Sequence, residues 1–166
     1  MSSKTVLQSL LVLLCAICVA SSALAQMPNP YGPPISLEMA RKVAAPALAE
    51  AAKNNWAVAV AIVDPSGNLV YYEKMDNTQL ASAHVAVEKA RTAATYKRPT
   101  QAFQDALAKG AENWRILSLP GVVAAEGGIP LVMDGKIVGA IGVSGALSSQ
   151  DEQIAKTGAD VLAKGM

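Results

Sequence analysis

The sequence predicts an α+β fold in which helices pack on an antiparallel sheet. Two observations support this class. Two β-hairpins are indicated by apolar runs joined through turn sequences, and segments with apolar residues at helical spacing occur before, between and after them. No repeat, low-complexity tract or internal boundary is visible, so we expect a single domain after an N-terminal targeting segment.

The first 25 residues, 1–25, have the pattern of a secretory signal peptide. Lys4 supplies a modest positive charge, residues 10–20 are an unbroken apolar run, and Ala23-Leu24-Ala25 is an A-x-A cleavage site. The apolar run is too short to span a bilayer comfortably, so an uncleaved anchor is the less favoured alternative. We therefore expect a periplasmic or secreted protein that begins at Gln26 and has no membrane association after cleavage.

Cleavage changes the composition of the chain. It leaves 141 of the 166 residues, enough for one domain with a real core, and it removes both cysteines. Basic and acidic residues then number 13 each, and without a basic cluster nothing supports nucleic acid binding. A net charge near zero and an apolar content of 52% over the whole chain favour self-association into a homo-oligomer.

The segment before the first helix is residues 26–35, and it is expected to be an extended leader because prolines and Gly32 are concentrated there. Ser36 is placed to cap a first helix, whose apolar residues recur at helical spacing until Asn54-Asn55. Pro46 lies inside this pattern and should kink or divide the helix, because proline removes a backbone donor and its ring clashes with the preceding turn.

Four segments are the predicted strands of the two hairpins. The first hairpin turns at Asp64-Pro65-Ser66-Gly67-Asn68, where proline sets one φ and glycine or asparagine accepts a positive φ. The second turns at Asp134-Gly135, a strong two-residue hairpin signal. A further short strand at Val122-Val123 is an open interpretation. The predicted strands are residues 57–63, 69–74, 130–133 and 136–143.

Three later helices are predicted from capping residues that precede apolar residues at helical spacing. The first of them ends at Arg98-Pro99, and the last runs toward the C-terminus. The predicted caps are Ser82, Thr100 and Ser148, the last of which pairs with Asp151 in a capping-box-like pattern.

The mature chain contains a single histidine, His84, which limits the chemistry of one subunit. A three-histidine zinc site cannot be assembled, cysteine-based catalysis is excluded, and no nucleophile elbow is present. His84 lies off the apolar stripe of its helix, with Glu88 at i+4 and Arg91 at i+7. Two interpretations stay open: a solvated face with a His–Glu contact, or a haem-iron ligand or subunit contact.

Two glycine-rich turns are candidates for binding an acidic ligand. Gly127-Gly128 could present consecutive backbone N–H groups to an anion, or be a plain tight turn. Ser144-Gly145 precedes the N-terminus of the last helix, where free N–H groups favour a carboxylate or phosphate unless Ser148 already bonds them. Lys89 and Arg91 are either part of a solvated helix face or anchors for a carboxylate. Together these features make a small-molecule pocket credible.

Six short motifs carry a family resemblance, because they occur in order across nearly the whole mature chain. In this order they resemble the GlcG/HbpS family of small haem-binding-type proteins, which is also similar to the C-terminal domain of PduO-type corrinoid proteins. The motifs are Val63-Asp64-Pro65-Ser66-Gly67, Met75-Asp76, Lys89-Ala90-Arg91-Thr92-Ala93, Gly127-Gly128-Ile129-Pro130, residues 139–145 and Gln150-Asp151-Glu152.

The resemblance implies a single GlcG/HbpS-like domain over residues 36–166. Its expected fold is an antiparallel sheet of about five strands flanked by helices, in a profilin-like α/β/α arrangement. It also implies homo-oligomers and a haem cofactor, or less favourably a corrinoid. His84 becomes the candidate metal ligand, because it is the one imidazole and starts the helix of the Lys89-Ala90-Arg91-Thr92-Ala93 motif. Haem propionates would then meet Lys89, Arg91 or a glycine-rich turn.

The function expected from this resemblance is an exported homo-oligomeric haem-binding protein that acts in haem scavenging, storage or sensing. Two alternatives stay open: an enzyme or accessory protein for a small hydroxy- or oxo-acid of the glycolate-utilisation type, and a corrinoid-binding module. The sequence shows no catalytic constellation, so catalysis is the less favoured expectation.

Overall fold

The computed structural model describes residues 29–163, so the predicted signal peptide lies outside the described residues. In chain order the helices are α1 (Leu37–Lys53), α2 (Ser82–Tyr96), α3 (Gln101–Ala108), a 3-10 helix (Ala111–Ser118) and α4 (Ser148–Ala163). The strands are β1 (Ala59–Val63), β2 (Leu69–Lys74), β3 (Gly128–Met133) and β4 (Lys136–Ser144). Over this range, none of the helices combines the length and the apolar character that crossing a membrane requires.

The four strands form one antiparallel sheet in the order β2-β1-β4-β3. The two predicted hairpins occupy its two halves, and β1 joins them by pairing with β4, from Ala59 opposite Ser144 to Val63 opposite Ala140. The α+β class is therefore confirmed, with four strands rather than about five. The further strand considered at Val122-Val123 is absent, because residues 122–124 have no regular structure.

The two faces of the sheet differ in side-chain size. One face carries larger side chains such as Ile62 and Ile141, which are buried with residues of α1 and α4. The other face carries small residues such as Ala61 and Ala140, which are buried with alanines of α2. The sheet therefore lies between α2 and the α1–α4 pair, which is the expected α/β/α arrangement.

Gly142 determines how closely α2 approaches the sheet. A Cβ atom at this position would lie 2.0 Å from the carbonyl oxygen of Ala86 and 2.5 Å from the nitrogen of Ala90. Both distances are below van der Waals contact, so the backbones of α2 and β4 pack directly against each other. The spacing depends on the absence of a side chain on β4.

The helix start predicted at Ser36 is correct, and its hydroxyl accepts a hydrogen bond from the backbone N–H of Met39 at 3.2 Å. The predicted division of the helix at Pro46 is wrong, because α1 continues through this proline to Lys53, and the alternative of a kink stays a prediction.

Thr100 lies at the predicted N-cap position but makes no side-chain cap bond, and the other two later caps are wrong, although their helices form. Ser82 lies inside α2, where its Oγ is 3.3 Å from the Oγ of Ser144. Thr100 precedes α3 but its hydroxyl accepts a bond from the N–H of Gly128 instead of capping the helix. Ser148 is already helical, and Asp151 bonds elsewhere. Contacts distant in sequence recruit the side chains of Ser82 and Thr100.

The leader runs beside the start of β4. The N–H of Ile137 donates to the carbonyl oxygen of Pro30, and the N–H groups of Gly32 and Ile35 donate to β4 carbonyls, each at 2.8 Å. Because β1 reaches only as far as Ala140 on β4, the leader pairs with backbone groups that no strand of the sheet satisfies on that side. The segment is thus fastened to the sheet by its backbone.

Candidate functional site

The seven residues that the sequence singled out fall into two groups. His84 and Arg91 lie on the exposed face of α2. The other five lie at a closed junction of α2, β4, α4 and the loop before β3, and none of them presents a free charged group to solvent. They are Lys89, Gly127, Gly128, Ser144 and Gly145.

Lys89 is the centre of the closed junction and is only 2% exposed. Its ammonium group lies 2.7 Å from Oδ2 of Asp151 and donates to the carbonyl oxygen of Val143 at 2.9 Å. Burial raises the pKa of the Asp151 carboxyl, and the hydrogen bond and charge of Lys89 oppose that rise. Lys89 is therefore a structural cation, and the interpretation of it as a solvated position or a ligand anchor is not supported by this conformation.

The Gly127-Gly128 turn has its N–H groups bonded within the chain. The N–H of Gly127 donates to Oε2 of buried Glu152 at 2.9 Å, and that of Gly128 donates to the hydroxyl of Thr100 at 2.9 Å. Gly127 also has a φ of 113°, and a Cβ there would lie 2.8 Å from that of Asp151. The turn binds an internal carboxylate. The N–H groups of Gly127 and Gly128 are therefore not free to bind the external anion that the sequence predicts for this turn.

The Ser144-Gly145 turn is closed in the same way. The two backbone N–H groups that follow it are bonded by residues of α4: Ala146 N–H donates to Oδ1 of Asp151 at 3.1 Å, and Leu147 N–H donates to Oε1 of Gln150 at 3.0 Å. The start of α4 is thus capped by its own first turn, and the predicted docking of an acidic ligand between the two turns is not what this geometry provides.

Two acidic residues of the junction were not chosen from the sequence. Asp151 and Glu152 are 2% and 4% exposed, and each carries one of the internal contacts described above. The sequence feature that could have indicated these two residues is the Gln150-Asp151-Glu152 motif, which follows the glycine-rich end of β4. Their role was not predictable from local pattern, because Lys89, the partner of Asp151, is 62 positions away, and Gly127, which donates to Glu152, is 25 positions away.

The exposed face of α2 contains the two remaining predicted residues. His84 is exposed, so its imidazole is open to a ligand. Arg91, seven positions on, contacts Glu88 through Nη1 and Oε1 at 2.6 Å, and its Nε donates to the carbonyl oxygen of Gly67 at 3.1 Å. Glu88 therefore pairs with arginine at i+3 rather than forming the predicted contact with histidine at i−4.

An open cleft of about 440 Å³ lies beside Arg91. Its first wall is the β1–β2 turn at residues 66–68, its second wall is Arg91 and Thr95 of α2, and its third wall is Pro120-Gly121. A volume of this size is within the usual range for small-molecule sites.

Across residues 29–163 no three histidine, cysteine or acidic side chains come together in a way that would hold a metal ion.

The family follows from comparison with known proteins. The model of the family described as "Haem degrading protein HbpS-like" matches residues 35–160. The chain belongs to the HbpS-like family. Protein GlcG of Escherichia coli strain K12 is 41% identical over 130 residues, which cover 78% of this chain and 96% of GlcG. The resemblance to the GlcG/HbpS family is thus confirmed.

Solved structures of HbpS-like proteins share the fold. A double mutant of Streptomyces reticuli HbpS has a TM-score of 0.72 and 32% identity, over 86% of this chain and 94% of that chain. The complex of PduOC with haem has a TM-score of 0.70 and 30% identity, over 76% and 94%. These neighbours confirm the architecture, and the second is of a relative with haem bound.

Four of the six motifs behind the family resemblance meet in three dimensions at the closed junction. Lys89 from one motif pairs with Asp151 from another, and a third supplies Gly127 and its bond to Glu152. The residues of these four motifs that meet here therefore hold α2, β4 and α4 together.

Proposed function

We propose that this chain is an exported, homo-oligomeric haem-binding protein that acts in haem scavenging, storage or sensing. The observation that supports this most directly is the exposed imidazole of His84, the one histidine of the sequence. It lies on a helix face that also carries a guanidinium group. The haem complex of the relative PduOC supports the same ligand class.

The residues of the α2 face fit a haem in two respects. His84 has a solvent-accessible imidazole, and neutral imidazole is a common ligand of haem iron. Arg91 follows after seven residues of helix, a rise of about 10 Å, and its side chain is 47% exposed. A guanidinium at that separation suits a propionate at the edge of the macrocycle. Bound haem would supply an iron centre, and the protein would hold it through these two groups.

The exposed position of the α2 face links haem binding to self-association. His84 is exposed, so a haem bound there would have one face against α2 and the other outside this subunit. A second copy of the chain would cover that outer face. Oligomer formation and haem binding are therefore expected to strengthen each other by mass action.

The test is a titration of the purified protein with hemin, followed by the Soret absorption band. Wild-type protein should shift the band and saturate, and His84→Ala should bind with lower affinity and a changed spectrum, because it removes the proposed iron ligand. Lys42→Ala is the matched control, since Lys42 is an exposed residue of α1 on the opposite side of the sheet. It should behave as wild type.

Two results of this titration would contradict the proposal at different points. If no Soret shift appears with wild-type protein, haem binding itself is rejected. If the shift appears with the same affinity and spectrum in His84→Ala, haem binding stands and the ligand assignment is rejected. Stability of the Soret band in the presence of a reductant distinguishes storage from the haem degradation that the family description names. We expect the band to persist.

Export and oligomer formation have their own tests. Mass spectrometry of the protein recovered from a bacterial periplasm should give a chain that begins at Gln26. Light scattering should give a multiple of the single-chain mass, because several large apolar side chains are exposed, among them Leu80 at 87% and Leu117 at 73%. An unprocessed chain in the cytoplasm, or a monomer, would contradict these parts of the proposal.

A further inference from the structure

The cleft beside Arg91 is lined by residues of three separate segments of the chain, and Arg91 is one of these residues. Each wall is held in place by hydrogen bonds of its own, and together they give a site that exists before any ligand binds. Preformed walls matter because they reduce the entropy lost when a ligand is ordered.

The first wall is rigid because Asp64 holds the turn. Its Oδ1 accepts from the backbone N–H groups of Ser66 at 2.8 Å and Asn68 at 2.9 Å, and its Oδ2 accepts from the side-chain amide of Asn68 at 3.0 Å. Both carboxylate oxygens of Asp64 are therefore engaged inside the turn.

The third wall is tied to α2 by two side chains. The hydroxyl of Thr92 donates to the carbonyl oxygen of Gly121 at 2.9 Å and accepts from the N–H of Val123 at 3.0 Å. The phenol of Tyr96 donates to the carbonyl oxygen of Pro120 at 2.8 Å. Residues on two successive turns of α2 thus hold the loop opposite the β1–β2 turn.

Arg91 of the second wall is hydrogen-bonded to the first wall, and some of its N–H groups remain available to a ligand. A guanidinium has five N–H donors, and here Nε bonds Gly67 and Nη1 bonds Glu88. These two bonds fix its plane, while its remaining N–H groups have the fork geometry that matches a carboxylate. The side chains of Arg91 and Glu88 are both half-exposed, so solvent weakens their ion pair. Glu88 therefore competes only weakly with a ligand for the guanidinium.

We propose that this cleft binds a carboxylate group through Arg91. Two sources share this chemistry, a propionate of haem and a free small carboxylic acid. The first source rests on the haem binding proposed above, and the second does not. The experiment distinguishes the two sources.

The first arm uses radiolabelled malonate in equilibrium dialysis against the whole protein. We expect saturable binding near one malonate per chain with a millimolar dissociation constant, and about tenfold weaker binding in Arg91→Gln, because a charge-assisted hydrogen bond is lost. Arg115→Gln is the matched control, since Arg115 is an exposed arginine of the 3-10 helix outside the cleft. It should bind as wild type.

Glu88→Gln should change the affinity for malonate in the opposite direction. Removing the carboxylate that pairs with Arg91 should tighten malonate binding by about two- to threefold, because an exposed ion pair of this kind is weak. A structural role of Arg91 alone would give no such gain.

The second arm compares hemin with its dimethyl ester, in which both propionates are esterified. If the cleft takes a propionate, Arg91→Gln weakens hemin but not the ester, and malonate competes with hemin. If malonate binding depends on Arg91 while hemin affinity does not, the ligand is a free acid. The proposal is overturned if neither malonate nor hemin binds more weakly to Arg91→Gln than to Arg115→Gln. Failure of hemin to bind at all rejects only the haem function.

Discussion

Lys89 lies among residues that local pattern assigns to a solvated helix face, yet it is among the most buried charged residues of the described structure. Its partner Asp151 lies at the start of another helix, and the pair forms only when both helices pack on the same end of β4. Helical spacing alone does not distinguish an exposed lysine from one that a distant carboxylate neutralises. At this scale the interpretation of Lys89 as part of a solvated helix face is wrong, because its side chain is buried.

Replacing Lys89 by methionine should be strongly destabilising. Lys89→Met leaves the buried carboxylate of Asp151 without its counter-charge, and breaking a buried ion pair in this way costs about 3–5 kcal/mol. Urea denaturation measures the change in the free energy of unfolding. The control is Lys156→Met, because Lys156 pairs with Glu152 at 3.4 Å from an exposed position, and its loss should cost at most about 1 kcal/mol. Equal losses in the two variants would contradict the structural role of Lys89.

The loss in Lys89→Met should also depend on pH. Burial already raises the pKa of Asp151, and removal of the opposing ammonium raises it further. A carboxyl group with a folded pKa above its unfolded value contributes stability that is complete below the unfolded pKa and is lost as pH rises through the folded pKa. The deficit relative to wild type should therefore grow as the pH of the urea titrations rises from about 4 to about 7. A deficit independent of pH would exclude Asp151 as its source.

Asp64 gives a second prediction for a single residue. Partial burial raises the pKa of its carboxyl, but the hydrogen bonds from Asn68, Ser66 and Gly67 outweigh burial and leave the pKa below its usual range. Asn68→Ala should raise that pKa, as followed by a carbon NMR titration of the carboxyl group, whereas Asn113→Ala in the 3-10 helix should not.

The turn at Asp64 should accordingly be sensitive to acid. A carboxyl group with a lowered folded pKa stabilises the fold above its unfolded pKa, and that stability is lost as pH falls through the folded value. An unchanged pKa in Asn68→Ala would show that the side-chain amide does not hold the turn.

Among the elements, the strands were easier to predict than the helix starts. The Asp134-Gly135 turn has φ values of 50° and 71°, as a two-residue hairpin of this sequence requires, so local chemistry decides it. Helix caps depend on where a hydroxyl finds its partner. Thr100 bonds Gly128 and Ser82 contacts Ser144, and neither contact is visible in a short window of sequence. Tertiary contacts override capping preference here.

The contact between α2 and β4 predicts that Gly142 tolerates no side chain. Gly142→Ala would place a methyl group 2.0 Å from the Ala86 carbonyl oxygen, and such overpacking costs about 1–3 kcal/mol or more. Thermal unfolding measures it. The control is Gly135→Ala, where nothing lies within 4 Å and only the positive φ of 71° is strained, at about 1 kcal/mol. A smaller loss at Gly142 than at Gly135 would show that α2 can move away from β4.

At the scale of the whole molecule, an antiparallel sheet with packed helices was predictable from two hairpins and their flanking helices, whereas the α/β/α layering was implied only by the family resemblance. The strand order was not predictable, since pairing of β1 with β4 is a contact between distant parts of the chain. The closed junction was likewise beyond prediction. Its glycines and acidic residues were visible as motifs, but their use as internal partners depends on the complete packing.

The sheet order predicts how protection from hydrogen exchange is distributed. Strand β1 is fully buried and paired on both sides, whereas β2 lies at an edge and is largely exposed. Amides of β1 and the buried part of β4 should exchange only through global unfolding, and those of β2 should exchange faster by local opening. Mass-spectrometric exchange on peptides of each strand measures this. Equal protection of β1 and β2 in the isolated subunit would contradict the order.

The leader beside β4 has a consequence for where the folding unit begins. The family match starts at residue 35, but the backbone bonds from Pro30 and Gly32 to Ile137 lie upstream of it. A protein shortened to the matched range would leave a strand edge of β4 uncovered, and uncovered edges promote aggregation. The range that the family model matches is therefore shorter than the range whose backbone covers this part of β4, and the signal cleavage proposed after Ala25 leaves the longer range intact.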